Sequence, residues 1–188
     1  MVAAEAEGDK REVAAFVHNL AIVAQNTGEM DLARRRYEES LAMMRELGNR
    51  AGIASSLHQL GILAQATGEM DLARRRYEES LAIERELGNR AGIATTLGQL
   101  AILEKAEGNE AEAERLYREA IDTARAVGNV ADLSIHLFNL ALLLEKQARL
   151  AEALPLLQQS WEIQKRIGSP SANQDRQALE RVRQKLAT

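Results

Sequence analysis

The segment TGEMDLARRRYEESLA occupies residues 27–42 and returns unchanged at 67–82, and residues 45–54 return as 85–94, a period of 40 residues. Self-similarity at a fixed period of this length restricts the chain to a stack of identical supersecondary units. None of them can bury its apolar face alone, and each is stabilised by its neighbours.

Glycines punctuate the period. Gly8, Gly48, Gly88, Gly128 and Gly168 are followed by Asp9, Asn49, Asn89, Asn129 and Ser169. This pattern predicts a helix end at the glycine and an N-cap of the next helix at the polar residue. Pro170 then fits a first helical position. A second series, Gly28, Gly68 and Gly108, falls mid-period, with Ala148 in the fourth place. Each period therefore reads as two helices and two tight turns. First helices are expected near 10–27, 50–67, 90–107 and 130–147, second helices near 30–47, 70–87, 110–127 and 150–167, and a last helix near 170–186. At 1.5 Å per residue a pair member is about 27 Å long. Pro155 is expected to bend or loosen the first turn of its helix.

The apolar pattern agrees. Ile53, Leu57, Leu60, Gly61 and Ala64 follow the spacing of one buried helical stripe. Ala21, Gly61, Ala101 and Ala141 recur as small residues. Second helices repeat Ala33, Ala73, Ala113 and Ala153, then Tyr37, Tyr77, Tyr117 and Leu157. Bulky side chains opposite small ones predict a recurring knob and gap. The chain's abundance of Ala, Leu, Glu and Arg favours helix over strand. With only two prolines and 3% aromatic residues, it reads as all-α.

The pattern Leu57–x2–Leu60–Gly61, Ala64, Ala73, Tyr77 resembles the tetratricopeptide repeat, over about residues 8–167 and four times in register. The resemblance implies a right-handed α-solenoid of four antiparallel helix pairs, at about 10–47, 50–87, 90–127 and 130–167. A C-terminal capping helix at about 170–186 completes residues 1–188 as a single array. The common unit has 34 residues. The longer helices here are similar to those of kinesin light chains and bacterial signalling ATPases. The usual proline late in the second helix is absent, and Leu47, Leu87, Val127 and Ile167 stand there. Apolar Leu179, Val182 and Leu186 on one side of the last helix, with Arg176, Arg181, Arg183 and Lys185 elsewhere, suit a polar terminal cap. At the front, Met1 to Gly8 is too short for a full preceding helix. Either the first pair is exposed on its outer side or the chain is cut from a longer array.

Three rows face away from the buried stripe, and in arrays of this type that side of the first helices lines a concave groove. Asn19, Gln59, Gln99 and Asn139 form an amide row. An amide both donates and accepts, which suits gripping the backbone of an extended peptide. Similar arrays in kinesin light chain and Leu-Gly-Asn repeat adaptors use an asparagine this way. The alternative is that each amide bonds only within its own repeat or to water. Ile22, Ile62, Ile102 and Leu142 form an aliphatic row, either an interaction surface or packing between neighbouring first helices. His18, His58, Gly98 and Phe138 form a row that changes along the chain. Phe138, near Ile135 and Leu142, is the anchor candidate for a ligand side chain, with core packing as its alternative. The expected peptide-binding residues are His18, Asn19, Ile22, His58, Gln59, Ile62, Gln99, Ile102, Phe138, Asn139 and Leu142.

Other chemistry is not indicated. A formal net charge of −4 argues against a nucleic-acid footprint. The absence of cysteine excludes disulfides and thiolate metal sites. His18 and His58 lack a neighbouring carboxylate for a metal site. Arg34 to Arg36 and Arg74 to Arg76 are followed by glutamates and read as a salt-bridged, solvated face. The Lys/Asn/Arg clamp of chaperone-tail binders is not reproduced, since His, Ile and Gln mostly hold those positions. No phosphate loop, nucleophile–base pair or shared carboxylate pocket is present, so no catalysis and no cofactor or metal are expected. The opening residues lack the basic and apolar regions of a signal peptide, and no apolar run approaches the roughly 20 residues of a membrane span. A soluble, cytoplasmic protein is expected. These features predict a non-catalytic module that binds a peptide or helix of a partner protein. The alternative is a self-associating scaffold, a possible homo-oligomer, or the sensor or scaffold region of a larger signalling protein.

Overall fold

A computed structural model describes the backbone of residues 2–187 and the side chains of 9–187. Among the described residues it is all-α, with nine helices: α1 (Val2–Asn26), α2 (Met30–Glu46), α3 (Arg50–Ala66), α4 (Met70–Leu87), α5 (Arg90–Glu107), α6 (Glu110–Val127), α7 (Val130–Lys146), α8 (Leu150–Arg166) and α9 (Ala172–Ala187). The helices group into two compact units, Met1–Asn89 and Arg90–Thr188. In the first, α1 packs on α2, α2 on α3 and α3 on α4. In the second the same order runs from α5 to α8, and α9 closes on α8.

The glycine punctuation ends helices as the period predicts at Gly48, Gly88, Gly128 and Gly168 but not at Gly8, and Ser169 stands three residues before α9 rather than capping it. Asn49 Oδ1 accepts from Gly52 N at 3.0 Å and Asn129 Oδ1 from Asp132 N at 3.1 Å, capping α3 and α7. The exception is Gly8–Asp9, where no turn occurs because α1 begins at Val2 and runs through both. The preceding residues, VAAEAE, are mostly Ala and Glu, strong helix formers that favour continuing the helix over breaking it at Gly8. Pro170 also differs, lying in the turn before α9 rather than in its first position. Pro155 sits inside α8 without interrupting it. Its missing N–H falls near the helix start and on the exposed side, where water reaches the unpaired carbonyl.

Ala148 stands in the place of a turn glycine and is the one non-glycine residue with positive φ among those described, at 59°; Gly108, one period earlier, has φ 87°. A β-carbon in the left-handed region costs about 1 kcal/mol. Ala148→Gly is therefore expected to stabilise the second unit by roughly 0.5–1 kcal/mol in urea titration. A loss of stability would mean that the turn does not carry this strain.

The cores are built from the recurring knobs and gaps. Tyr37, Tyr77 and Tyr117 are buried. A β-carbon on Gly61 would lie 2.7 Å from Tyr77 Cδ1, so the glycine makes room for the ring. The buried phenols need an acceptor, and Tyr37 donates to Gln25 Oε1 at 2.8 Å and Tyr77 to Gln65 Oε1 at 2.9 Å. A second set of rungs was not read from the sequence. Buried Ser40, Ser80 and Ser160 each bond the carbonyl 26 residues earlier, of Ala14, Ala54 and Ser134, at 2.8–2.9 Å. In the fourth pair Leu157 replaces the tyrosine and Glu145 takes the glutamine's place in the period. Glu145 is reached instead from α9, by Arg181 Nε and Nη2 at 2.8 and 2.7 Å and Lys185 Nζ at 2.8 Å.

Candidate functional site

In the first unit, α1 and α3 carry the rows at matching positions. The His18 ring meets Tyr37 edge-on with centroids 5.2 Å apart, and its Nδ1 lies 3.3 Å from Ser56 Oγ. His58 lies tilted on Tyr77 at 5.5 Å. Both are half-buried, and burial pushes the His18 pKa down from its ordinary value. His18 is thus held between a tyrosine and a serine and acts more as a joint than as a free ligand group. Beside them Asn19 is exposed, Gln59 half-buried, Ile62 half-buried and Ile22 exposed.

In the second unit, Gln99, Ile102, Phe138, Asn139 and Leu142 are all half-buried on α5 and α7, and Ile135 is 48% exposed. Neither Phe138 nor the aliphatic row is core. None of the four amides Asn19, Gln59, Gln99 and Asn139 hydrogen-bonds within the chain among the described residues. In contrast, the amides of Gln25 and Gln65 are engaged by tyrosines.

The changing row hides a compensation that sequence reading missed. Gly98 is buried, and the space its side chain would need holds the ring of His136, with Nδ1 2.7 Å from where a β-carbon would stand. His136 is buried, neither ring nitrogen has a hydrogen-bond partner, and burial lowers its pKa against the upward pull of Asp132 and the Ala94 carbonyl. Where α1 presents His18 to Ser56 of α3, α5 presents only the glycine Gly98 at that place to His136 of α7. The imidazole has changed sides of the joint. The signal was available as two rows read together, His18/Ser56 and Gly98/His136, each 38 residues apart.

The arginine runs pair as expected in part. Arg36 meets Glu39 at 2.7 Å and Arg76 meets Glu79 at 3.7 Å, each one turn on. Arg34 instead reaches Glu69 in the turn before α4. No helix among the described residues is long and apolar enough to cross a membrane.

Helical hairpins in succession, with glycine turns, small-residue gaps and tyrosine knobs at one period, define a helical-repeat protein. The tetratricopeptide repeat family model matches residues 12–86, 52–126 and 92–166, and the chain belongs to that family. By sequence, no curated protein matches it. Among solved structures it is similar to BtubC (BKLC) from P. vanneervenii (22% identity, TM-score 0.80, covering 96% of this chain and 80% of that one). A Podosopora anserina protein described as a kinesin light chain with nearly identical TPR-like repeats shares 21% identity at TM-score 0.73, covering 93% and 87%. Aspartyl phosphate phosphatase F from Bacillus subtilis is 10% identical at TM-score 0.81, covering 92% of this chain but 49% of its own. At these identities the likeness is one of fold.

Proposed function

We propose that this chain is a non-catalytic, cytoplasmic interaction module that holds a peptide or helix of a partner protein on the exposed side of its first helices. The observation that carries the reading is the set of four amides without hydrogen bonds among the described residues, each beside a partly open aliphatic residue. Amides free to donate and accept bind peptide backbone irrespective of side chain, and adjacent apolar surface supplies anchor sites. In the second unit Asn139 and Gln99 grip the main chain, while Phe138, Ile102 and Leu142 receive an apolar side chain. His18 and His58 line the polar part of the surface in the first unit.

The test begins with selection of binders from a random peptide library, followed by fluorescence polarisation with the best peptide. Phe138→Ala combined with Asn139→Ala is expected to weaken it at least about tenfold, as loss of an anchor does, with helicity retained. Unchanged affinity, or a library that yields no binder, counts against this surface.

A further inference from the structure

Val13, Phe16, Leu20 and Val23 form one stripe along α1 and are 39–63% exposed. The same places in the period are Ile53, Ser56, Leu60 and Leu63 in α3, and Leu133, His136, Leu140 and Leu143 in α7, all 7% exposed or less. The α3 stripe is covered by the helix pair before it: Ile53, Leu60 and Leu63 join Ala14 and Ala21 of α1 and Tyr37, Leu41 and Met44 of α2 in one cluster. The α1 stripe is therefore a face patterned to meet a helix pair of this kind. At about 100° per residue it lies roughly 110° round the helix from the buried face and well away from Ile22 and His18. It is separate from the histidine and aliphatic rows of the proposed peptide surface, and Asn19, three residues after Phe16 and four before Val23, borders it.

We propose that this face pairs with the same face of a second copy, giving a closed two-fold dimer. Three features select that occupant. First, α9 covers α8, and its outward residues, including Arg176, Glu180 and Arg183, are charged and exposed. Among the described residues α9 exposes only Leu186 as a large apolar side chain and no apolar stripe, so head-to-tail growth into a filament has no matching surface there and an isologous contact remains. Second, the charged run Asp9, Lys10, Arg11 and Glu12 adjoins the stripe on its N-terminal side, while neutral Gln25 and Asn26 follow it on the other. An antiparallel pairing sets charged residues against neutral ones, whereas a parallel one sets like against like. Third, Val13 with Met43 and Leu47 lines an apolar cavity of about 200 Å³ beside the stripe. In the antiparallel register that places Phe16 over the partner's Leu20, this cavity receives the partner's Val23. Covering the stripe and its margins on both copies removes on the order of 1,000 Å² from water, the low end for a specific contact.

Sedimentation equilibrium of the full chain from about 1 to about 500 µM tests this. The expected result is a mass rising from one to two copies and no further. Phe16→Glu with Val23→Glu should remain a single copy throughout with unchanged circular dichroism, and Ile62→Arg should still dimerise. Should the double variant lose helicity, Phe16→Ser, which installs the residue of α3, takes its place and should shift the dimer midpoint upward at least about tenfold. A wild-type chain that stays single, a mass that climbs past two, a dimer untouched by these α1 substitutions, or one dissolved by Ile62→Arg overturns the proposal.

Discussion

Gly98→His is expected to destabilise the second unit by about 3 kcal/mol, the upper range for overpacking a core. Yet it installs the residue that α1 and α3 carry at that place, as His18 and His58. The reason is steric. The ring of His136 already fills the gap, and it is buried with no hydrogen bond to redirect it. Adding His136→Ser recreates the arrangement of His18 and Ser56, in which one imidazole faces one hydroxyl across the joint at 3.3 Å. The double variant is expected within about 1 kcal/mol of wild type, a coupling of about 2 kcal/mol or more between residues in contact. Urea titration followed by the fluorescence of Trp161, the single tryptophan, reads this unit directly. Additive losses would show that Gly98 is small for another reason. The same histidine sets a pH dependence. Its folded pKa lies below the ordinary 6.5, so the stability it contributes is complete above that value and falls as acid charges the unfolded state first. His136→Ser should flatten the profile just below pH 6.5.

The period made the helices and turns legible because glycine, a polar cap and an apolar stripe recur at one spacing, so each weak signal was seen several times. Helix starts and ends were read within about two residues wherever that punctuation operates. The start of α1 is the exception, since Gly8 and Asp9 lie inside a continuous helix and end nothing. Inside the array, what escaped was compensation. Gly98 reads as a gap in a row of histidines until His136 is placed against it, and Leu157 reads as a lost tyrosine until Glu145 is seen turned toward α9. Both are contacts between columns of the repeat, which alignment of each column separately does not reveal. The candidate surface residues stay in their own columns, and among the described residues the four amides have no intrachain hydrogen bond, so the structure neither adds to nor removes from what the columns suggest.

Glu145→Lys is expected to loosen α9 from the second unit at a cost of about 3 kcal/mol. The carboxylate side chain is 9% exposed and lies between Arg181 and Lys185, which hold its pKa down at about 2, the Arg181 bonds first and then Lys185. The gap from the ordinary 4.5 corresponds to about 3 kcal/mol at most. Both cations are about half exposed, so water screening reduces the net contribution of the native group to about 2 kcal/mol. A third cation adds repulsion to that loss. A folded pKa below the unfolded one makes this stabilisation complete above about pH 4.5, and it is lost progressively as pH falls toward 2. Glu145→Gln keeps the shape and removes the titration, so its urea midpoint, followed at Trp161, should change less than wild type between those limits. Glu114, held low by Arg149, contributes to both proteins alike, which makes the difference between them the informative quantity. Equal acid slopes would assign the effect elsewhere and leave α9 held by Ala178, Leu179 and Val182 and by the Ser160–Asp175 hydrogen bond. A separation of the two profiles between pH 4.5 and 2 would show that Glu145, held by Arg181 and Lys185, closes the end of the unit that the tyrosine column no longer serves.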